Sequence, residues 1–177
     1  MSFSGIIEID SAPVGFICFP AHTPVTTDQG VIPIKDVIAG KHTIRKRRIK
    51  HVTKTLGLDN TIVEIKKGAL YPNVPSEDTI ITRNHAIMIN GKMTKAKDLV
   101  GYIGGVSEIP YTNYFLYNIV LDTHSYMLVN GMIAETLNPE NAIAKLYDAL
   151  VGVDKNEASA IIQLMNDYRR KTMCVNG

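Results

Sequence analysis

Cys18 is the residue of this 177-residue chain whose type and setting indicate chemistry most directly. A short turn, an apolar–polar alternation and the hairpin signal Asp28-Gln29-Gly30 follow it. We interpret the residues before it as a short leader and not as a domain. A thiolate is strongly nucleophilic, even when a small fraction of the thiol is ionised near neutral pH. This placement suits a thiol that attacks the peptide bond directly upstream, between Ile17 and Cys18.

Two further blocks carry side chains that could serve such a thiol. Thr82 stands three residues before His85, and strand-like runs flank both. Asp122 and His124 lie at a strand junction, where an extended chain would place their side chains on one face. Because histidine exchanges protons near neutral pH, His85 and His124 are candidate general acids or bases.

The elements that must position these residues are mostly short strands. Asn-Gly between two apolar runs is the strongest short-range hairpin signal, and it occurs at Asn90-Gly91 and Asn130-Gly131. Many short strands with regular turns predict a closed or nearly closed β structure over residues 18–137. The predicted strands are Val31–Ile34, His42–Arg45, Thr61–Lys66, Thr79–Thr82, His85–Ile89, Leu116–Leu121 and Ser125–Val129.

The two ends of the chain differ from this β region. In residues 1–17, the sequence pattern predicts a short strand at Gly5–Asp10, followed by a turn that leads into the cysteine. Residues 138–177 switch to helical spacing of apolar residues. Asn138-Pro139 predicts one helix start, and Asp154 with Glu157 resembles the capping box of a second. We therefore predict two amphipathic helices after the β region.

Composition restricts the function classes. Hydrophobic residues make up 45% of the chain, enough for a packed core, and a net charge of +2 is too mild to indicate a nucleic-acid binder. Cys18 and Cys174 make no disulfide framework, although one bridge stays possible. The histidines and cysteines show no metal-binding spacing, so we expect neither a metal nor a cofactor.

Location and association are expectations of the same kind. No apolar run is long enough to cross a bilayer, and residues 1–16 lack the basic and apolar regions of a signal peptide. We expect an intracellular, cytoplasmic monomer that binds neither membrane nor nucleic acid. The basic stretch between Lys41 and Lys54 could contact phosphate or an acidic partner, but we interpret it as a solvated strand edge.

Taken together, the three blocks resemble the Hint module shared by hedgehog autoprocessing domains and inteins. Cys18–Val37 resembles the opening block of that family, and Thr82-x-x-His85 resembles its Thr-x-x-His block. The stretch from Leu116 through His124 to Asn130-Gly131 resembles the closing block. Residues 67–75 and 135–137 are similar to a subgroup of Hint proteins from bacteria and large DNA viruses.

The resemblance implies a fold and a division of the chain. The fold is mainly β, a Hint-type horseshoe followed by two C-terminal helices. Residues 1–17 would be a flanking leader, 18–137 the Hint domain and 138–177 a helical extension.

The resemblance also implies a self-acting reaction. Cys18 would attack the carbonyl of Ile17, turning the amide into a thioester by an N-to-S acyl shift. His85 would donate a proton to the scissile nitrogen, Thr82 would orient the bond, and His124 would assist thiol deprotonation or the later transfer. Asp122 is a candidate that a turn role explains equally well. The substrate would be the chain's own N-terminal flank, and the acceptor water, a small thiol or amine, or an alcohol.

One departure from inteins limits the expected reaction. Inteins end on a His-Asn pair whose asparagine cyclises, whereas Glu135 and Thr136 stand here. Because neither can form a succinimide, we expect cleavage at the N-terminal side without splicing. Two alternatives stay open: a trans-acting cysteine hydrolase that uses Cys18 and His85, and a catalytically silent Hint scaffold that acts as a binding module.

Overall fold

The computed structural model describes residues 17–57, 59–112 and 115–175, with side chains to residue 171. The predicted strand at Gly5–Asp10 and the side chain of Cys174 lie outside the described residues. The helices are α1 (Ala142–Ala149) and α2 (Lys155–Val175). The strands are β1 (Phe19–Pro20), β2 (Pro24–Thr27), β3 (Gly30–Pro33), β4 (Thr43–Ile44), β5 (Arg47–Leu56), β6 (Thr61–Ile65), β7 (Thr79–Ile81), β8 (Ala86–Ile89), β9 (Lys92–Lys95), β10 (Val106–Pro110), β11 (Phe115–Leu121), β12 (Tyr126–Val129) and β13 (Met132–Glu135).

The described strands form three antiparallel sheets. Their orders are β1-β11-β5-β4, β10-β6-β7 and β3-β2-β12-β13-β8-β9. Strand β11 pairs with β1, and β12 pairs with β2, so the closing part of the β region lies beside its opening part. Strand β13 pairs with β8, which follows directly on His85. Strand order, rather than sequence proximity, therefore brings the three sequence blocks together.

The core is apolar and draws on all three sheets. Its main cluster includes Phe19, Val63, Ile87 and Ile119, each with no exposed surface. A smaller cluster contains Cys18, Ile62 and Leu116. The hydrophobic effect stabilises both clusters. The cysteine is thus surrounded by apolar side chains on several sides.

Both predicted Asn-Gly hairpins are confirmed. Asn90-Gly91 joins β8 to β9, with φ of 50° and 76°, and Asn130-Gly131 joins β12 to β13, with φ of 49° and 80°. Two successive positive φ angles are what a tight hairpin turn requires, and asparagine and glycine adopt them most easily. The second hairpin returns the chain along β12 and so places Glu135 near the Thr82–His85 turn.

The basic stretch, which the sequence pattern predicts to be a solvated strand edge, forms most of β5, the longest described strand. Arg48 is exposed while Ile49, Thr53 and Thr55 are buried, so charged and core-facing positions share one strand. Strand β11 covers one side of β5, and β4 pairs only with Arg47 and Arg48 on the other. The two C-terminal helices lie against the rest of that second side.

The two C-terminal helices are present, and one starts where predicted. Asp154 Oδ1 accepts hydrogen bonds from the backbone N–H groups of Asn156 (2.9 Å) and Glu157 (3.2 Å), which caps α2. Helix α1 starts three residues later than Pro139, because Asn138 forms a turn and Asn141 provides the cap. Within the described part of the chain, neither helix has the length and apolarity needed to span a membrane.

Candidate active site

Cys18 lies immediately before β1 and is buried, with 4% of its surface exposed. Its Sγ atom lies 3.6 Å from Oγ1 of Thr55 on β5. Burial raises the pKa of the Cys18 thiol to about 11, against the smaller opposing effects of the Thr55 hydrogen bond and the Arg169 charge. The thiol is therefore protonated near neutral pH, and its use as a nucleophile requires a base.

The peptide bond between Ile17 and Cys18 is held by side chains at both of its polar atoms. The Cys18 N–H donates to Oγ1 of Thr82 over 2.9 Å. The Ile17 carbonyl oxygen accepts a hydrogen bond from Nδ2 of Asn118, a buried residue of β11. An amide N–H that points at a carbonyl oxygen stabilises the negative charge that develops there when a nucleophile attacks.

The segment between β7 and β8 turns Thr82 and His85 toward the cysteine. The backbone N–H of His85 donates to the Thr82 carbonyl (3.1 Å), and the Thr82 N–H donates to the Cys18 carbonyl (3.2 Å). The His85 ring packs on Phe19 with ring centres 4.5 Å apart. Its Nδ1 lies 3.5 Å from the Cys18 oxygen and its Nε2 lies 2.8 Å from the Glu135 carbonyl oxygen.

The protonation state of His85 follows from its burial and its partners. The ring is fully buried, and the loss of hydration lowers the pKa of His85, so the imidazole is neutral near pH 7. A carbonyl oxygen can only accept, so the 2.8 Å contact assigns the ring proton to Nε2, which donates to Glu135. A neutral ring has one such proton, so Nδ1, 3.5 Å from the Cys18 carbonyl oxygen, carries a lone pair and makes no hydrogen bond to that oxygen.

His124 reaches the site through a carboxylate. It lies in the loop between β11 and β12, and its Nε2 is 3.4 Å from Oε2 of Glu135. The other carboxylate oxygen of Glu135 accepts from the Ala86 N–H over 2.9 Å. Glu135 thus contacts both histidines, His85 through its backbone carbonyl and His124 through its side chain.

Asp122 lies apart from this group. Its carboxylate is 4.0 Å from the Arg47 guanidinium and accepts from the Thr123 N–H over 2.9 Å. The side chain is 60% exposed. Within the described part of the chain, no contact joins Asp122 to Cys18 or His85, and its predicted role stays a prediction. The structure thus brings Cys18, Thr82 and His85 into one cluster with His124 beside it.

The sequence patterns do not predict the roles of three residues in the site. These residues are Thr55, Asn118 and Glu135, the last as a partner of both histidines. Asn118 had a signal, because it is the single polar residue within the run Leu116–Leu121. A buried polar side chain in an apolar strand needs a partner, and here that partner is the Ile17 carbonyl. Thr55 had only a weak signal, since threonine is common in strands.

The cluster has the groups needed for nucleophilic acyl chemistry. The Thr82 hydroxyl and the Asn118 amide contact the Ile17–Cys18 peptide bond, and the Cys18 thiol and the His85 imidazole lie beside it. Among residues 17–57, 59–112 and 115–175, no group of histidine, cysteine and acidic residues is arranged to hold a metal ion. The groups that are present can perform proton transfer and nucleophilic attack.

Comparison with known protein families matches residues 17–141 to the Hint domain. The chain belongs to the Hint domain family, as the sequence resemblance predicted, and the predicted mainly β Hint fold with two C-terminal helices is confirmed. Membership in this family supports an autoprocessing activity in general. The division into a leader, a Hint domain and a helical extension stays a prediction.

Solved structures of inteins are similar to this chain at low sequence identity. The Ssp DnaB mini-intein variant M86 is 12% identical with a TM-score of 0.48, and the match covers 68% of this chain and 94% of that one. A DnaB intein from Synechocystis sp. PCC 6803 is 11% identical with a TM-score of 0.47, covering 69% and 99%. The MchDnaB-1 intein is 14% identical with a TM-score of 0.44, covering 69% and 100%. A search of curated proteins gives no significant match.

Proposed function

We propose that the chain cleaves its own Ile17–Cys18 bond through an N-to-S acyl shift, followed by transfer of the acyl group to an external nucleophile. One observation carries the proposal: side chains hold both polar atoms of that peptide bond, Thr82 at the nitrogen and Asn118 at the carbonyl oxygen. A buried peptide bond needs hydrogen-bond partners in any case, but here side chains, not neighbouring backbone, supply both of them, next to a thiol that can attack the carbonyl carbon.

The first step is attack by the thiol. The Cys18 Sγ forms a bond to the Ile17 carbonyl carbon while its proton passes to Nδ1 of His85. The carbonyl oxygen gains negative charge, which the Asn118 amide stabilises. Proton transfer must accompany attack, because burial disfavours both the free thiolate and the free imidazolium.

The second step breaks the amide. The bond between the Ile17 carbonyl carbon and the Cys18 nitrogen breaks, and the His85 imidazolium returns its proton to that nitrogen, leaving a free amine. The product is a thioester between Ile17 and the Cys18 sulfur. Thr82 holds the nitrogen in position, since its Oγ1 accepts the Cys18 N–H before the bond breaks.

The buried position of Cys18 favours this self-acting reaction over the trans-acting hydrolase. The thiol has 4% exposure and already lies next to its own upstream peptide bond. An external substrate would have to displace that bond to reach the sulfur. A silent scaffold would have no use for a thiol and an imidazole beside a peptide bond that Thr82 and Asn118 hold.

The test is an intact-mass time course of the purified protein with and without dithiothreitol. The parent should release a fragment ending at Ile17, faster with the thiol, because a thiolate cleaves a thioester directly. Cys18→Ala should release none, since no other group supplies the nucleophile.

Three outcomes contradict the proposal in different ways. Equal release from Cys18→Ala indicates a contaminating protease. A parent that stays intact under all conditions favours the silent scaffold. Saturable turnover of added peptides or esters by the intact parent favours the trans-acting hydrolase.

A further inference from the structure

A polar cleft beside the scissile bond is not used by the acyl shift. Its volume is about 570 Å³. Its wall includes Ile17, Asn84, Lys95, Lys97, His124 and Glu135. Ile17 is the acyl residue of the proposed thioester, so the cleft adjoins the residue whose carbonyl carbon a second nucleophile must attack.

Within the cleft, His124 and Glu135 have the arrangement of a base and the group that orients it. His124 Nε2 lies 3.4 Å from Glu135 Oε2, and the His124 side chain is 43% exposed to the cleft and solvent. The Glu135 side chain is only 18% exposed. A carboxylate at one ring nitrogen fixes the imidazole and stabilises the cation that forms when the ring takes a proton.

Glu135 is itself fixed at two points. Its Oε1 accepts the Ala86 N–H over 2.9 Å, and its backbone carbonyl accepts the His85 Nε2–H over 2.8 Å. The residue that orients His124 is therefore anchored to the same turn that carries His85. This arrangement couples the cleft to the acyl-shift site by direct contact.

The charges of the cleft wall indicate the class of acceptor. Lys95 and Lys97 contribute two positive charges, against one negative charge from Glu135 among the described lining residues. These positive charges would repel a protonated amine. They would attract a small molecule that carries an uncharged hydroxyl and, elsewhere, a negatively charged group. The polar wall offers little surface to a large apolar alcohol.

We propose that this cleft is the acyl-acceptor site, in which His124, positioned by Glu135, deprotonates a hydroxyl nucleophile: water, or a small alcohol that carries a negative charge. The proposal rests on the acyl shift proposed above. His124 takes the hydroxyl proton as the oxygen bonds to the Ile17 carbonyl carbon. The carbon–sulfur bond then breaks, and the Cys18 sulfur leaves as a thiolate and regains a proton from the imidazolium. Water yields a free Ile17 carboxyl group, and an alcohol yields an ester.

The experiment separates the two steps by the choice of nucleophile. Dithiothreitol attacks as a thiolate and needs no base, so the rate of thiolysis reports the acyl shift. Hydrolysis without thiol requires the base in the cleft. The ratio of the two rates, both taken from intact-mass time courses, cancels effects on folding and on the first step.

Three variants are compared with the parent. His124→Gln should lower the ratio of hydrolysis to thiolysis by about 10²- to 10⁴-fold, the usual contribution of one positioned base. Glu135→Gln, which keeps an oxygen for the Ala86 N–H, should lower it by about tenfold, since the ring loses its orienting charge. His22→Ala removes an exposed histidine that does not line the cleft and should leave the ratio unchanged.

The acceptor class is tested with glycerol and glycerol phosphate at equal concentration. The parent should form more ester with glycerol phosphate, and Lys95→Gln combined with Lys97→Gln should remove that preference. If the parent forms equal amounts of ester with glycerol and with glycerol phosphate, the proposed preference for a negatively charged alcohol is wrong.

The remaining outcomes distinguish this proposal from the one on which it rests. If dithiothreitol releases no fragment from the parent, the acyl shift and the acceptor site both fail. If it releases the fragment while His124→Gln keeps the parental ratio, the base assignment fails and the acyl shift stands.

Discussion

Burial shifts the pKa values of Cys18 and His85 in opposite directions, and both shifts favour the uncharged form. It raises the pKa of the Cys18 thiol to about 11 and lowers the pKa of His85, because a low-polarity environment disfavours the charged form of each. The resting pair is therefore an uncharged thiol and an uncharged imidazole. In the proposed reaction, charge develops only as the sulfur attacks, and the Asn118 amide already contacts the Ile17 carbonyl oxygen on which negative charge would form.

This pairing predicts the pH dependence of cleavage. Because lowering the pKa of His85 keeps the base neutral, the parent's rate should change little between about pH 7 and pH 9. In His85→Gln the attack depends on preformed thiolate, so the rate should rise about tenfold per pH unit toward the Cys18 pKa. Hydroxylamine, uncharged over this range, serves as the cleaving nucleophile in a mass-based assay. Parallel profiles for the two proteins would contradict His85 as the base.

The two partners of the scissile bond should differ in their contributions. Asn118→Ala should slow thiol-induced cleavage by about 10²- to 10³-fold, the usual loss when one donor to a developing oxyanion is removed. Thr82→Ala should cost about tenfold or less, since it removes a neutral hydrogen bond of about 0.5–1.5 kcal/mol. Rates from intact-mass time courses decide the ranking, and a larger loss in Thr82→Ala would show that holding the nitrogen matters more.

The residues missed in the sequence show what a sequence pattern cannot provide. Thr82 and His85 stand in one short turn, so their spacing alone indicates a shared role. Asn118 lies 101 residues from Ile17, and Thr55 lies 37 residues from Cys18. Only the strand order β1-β11-β5 brings these side chains to the cysteine. Long-range strand pairing therefore places Asn118 and Thr55 in the site, and local sequence patterns do not predict them.

At the scale of elements, the C-terminal helices complete the outer edge of β5. The Lys54 N–H donates to the Tyr147 hydroxyl over 2.8 Å. The Leu56 N–H donates to Oδ1 of Asn166 over 3.1 Å, and the Arg169 guanidinium lies 3.5 Å from the Leu56 carbonyl oxygen. These side chains occupy the positions of a neighbouring strand's backbone and so protect an edge. The same strand end carries Thr55, which contacts the Cys18 sulfur.

The helical edge cover can be tested through Asn166, which is 2% exposed. Asn166→Ala should lower the free energy of unfolding by about 1–3 kcal/mol, because it leaves the buried Leu56 N–H without its partner. Leu164→Ala on the same helix is the matched control, since Leu164 is 67% exposed and should shift stability by about 0.5 kcal/mol or less. Urea unfolding provides both values. Equal effects would show that the helix does not protect the strand.

The element predictions succeeded where the signal was local. The Asn-Gly turns and the Asp154 cap depend on neighbouring residues alone, and the structure has them where the sequence indicated. For β5 the sequence predicts only an edge, because the basic residues obscure the alternation that buries Thr53 and Thr55. Helix α1 starts later than predicted. Asn138 and Asn141 are both residues that can cap a helix, and it is Asn141 whose side chain caps α1.

At the scale of the whole molecule, the two ends of the Hint region differ in what they can do. Near Cys18 a thiol, an imidazole and an amide donor lie close to the Ile17–Cys18 bond, the groups that the proposed acyl shift uses. At the other end Thr136 is fully buried, and its Oγ1 accepts the Ser125 N–H (3.0 Å) and donates to the Ser125 carbonyl (3.1 Å). The Leu137 N–H donates to the Ile119 carbonyl over 2.9 Å, so the chain continues within the fold toward α1.

This asymmetry predicts that no cleavage occurs next to Thr136. Its side chain has no amide nitrogen to cyclise, and its hydroxyl is engaged on both sides by Ser125 rather than directed at the Glu135 carbonyl. Cys18→Ala, in which the N-terminal reaction is absent, should therefore stay at full mass during long incubation with hydroxylamine. Thr136→Val, which removes the hydroxyl but keeps the shape, should behave identically. A fragment beginning at Thr136 or Leu137, formed with proteases inhibited and lost in Thr136→Val, would instead identify the threonine hydroxyl as a second nucleophile and make the molecule reactive at both ends.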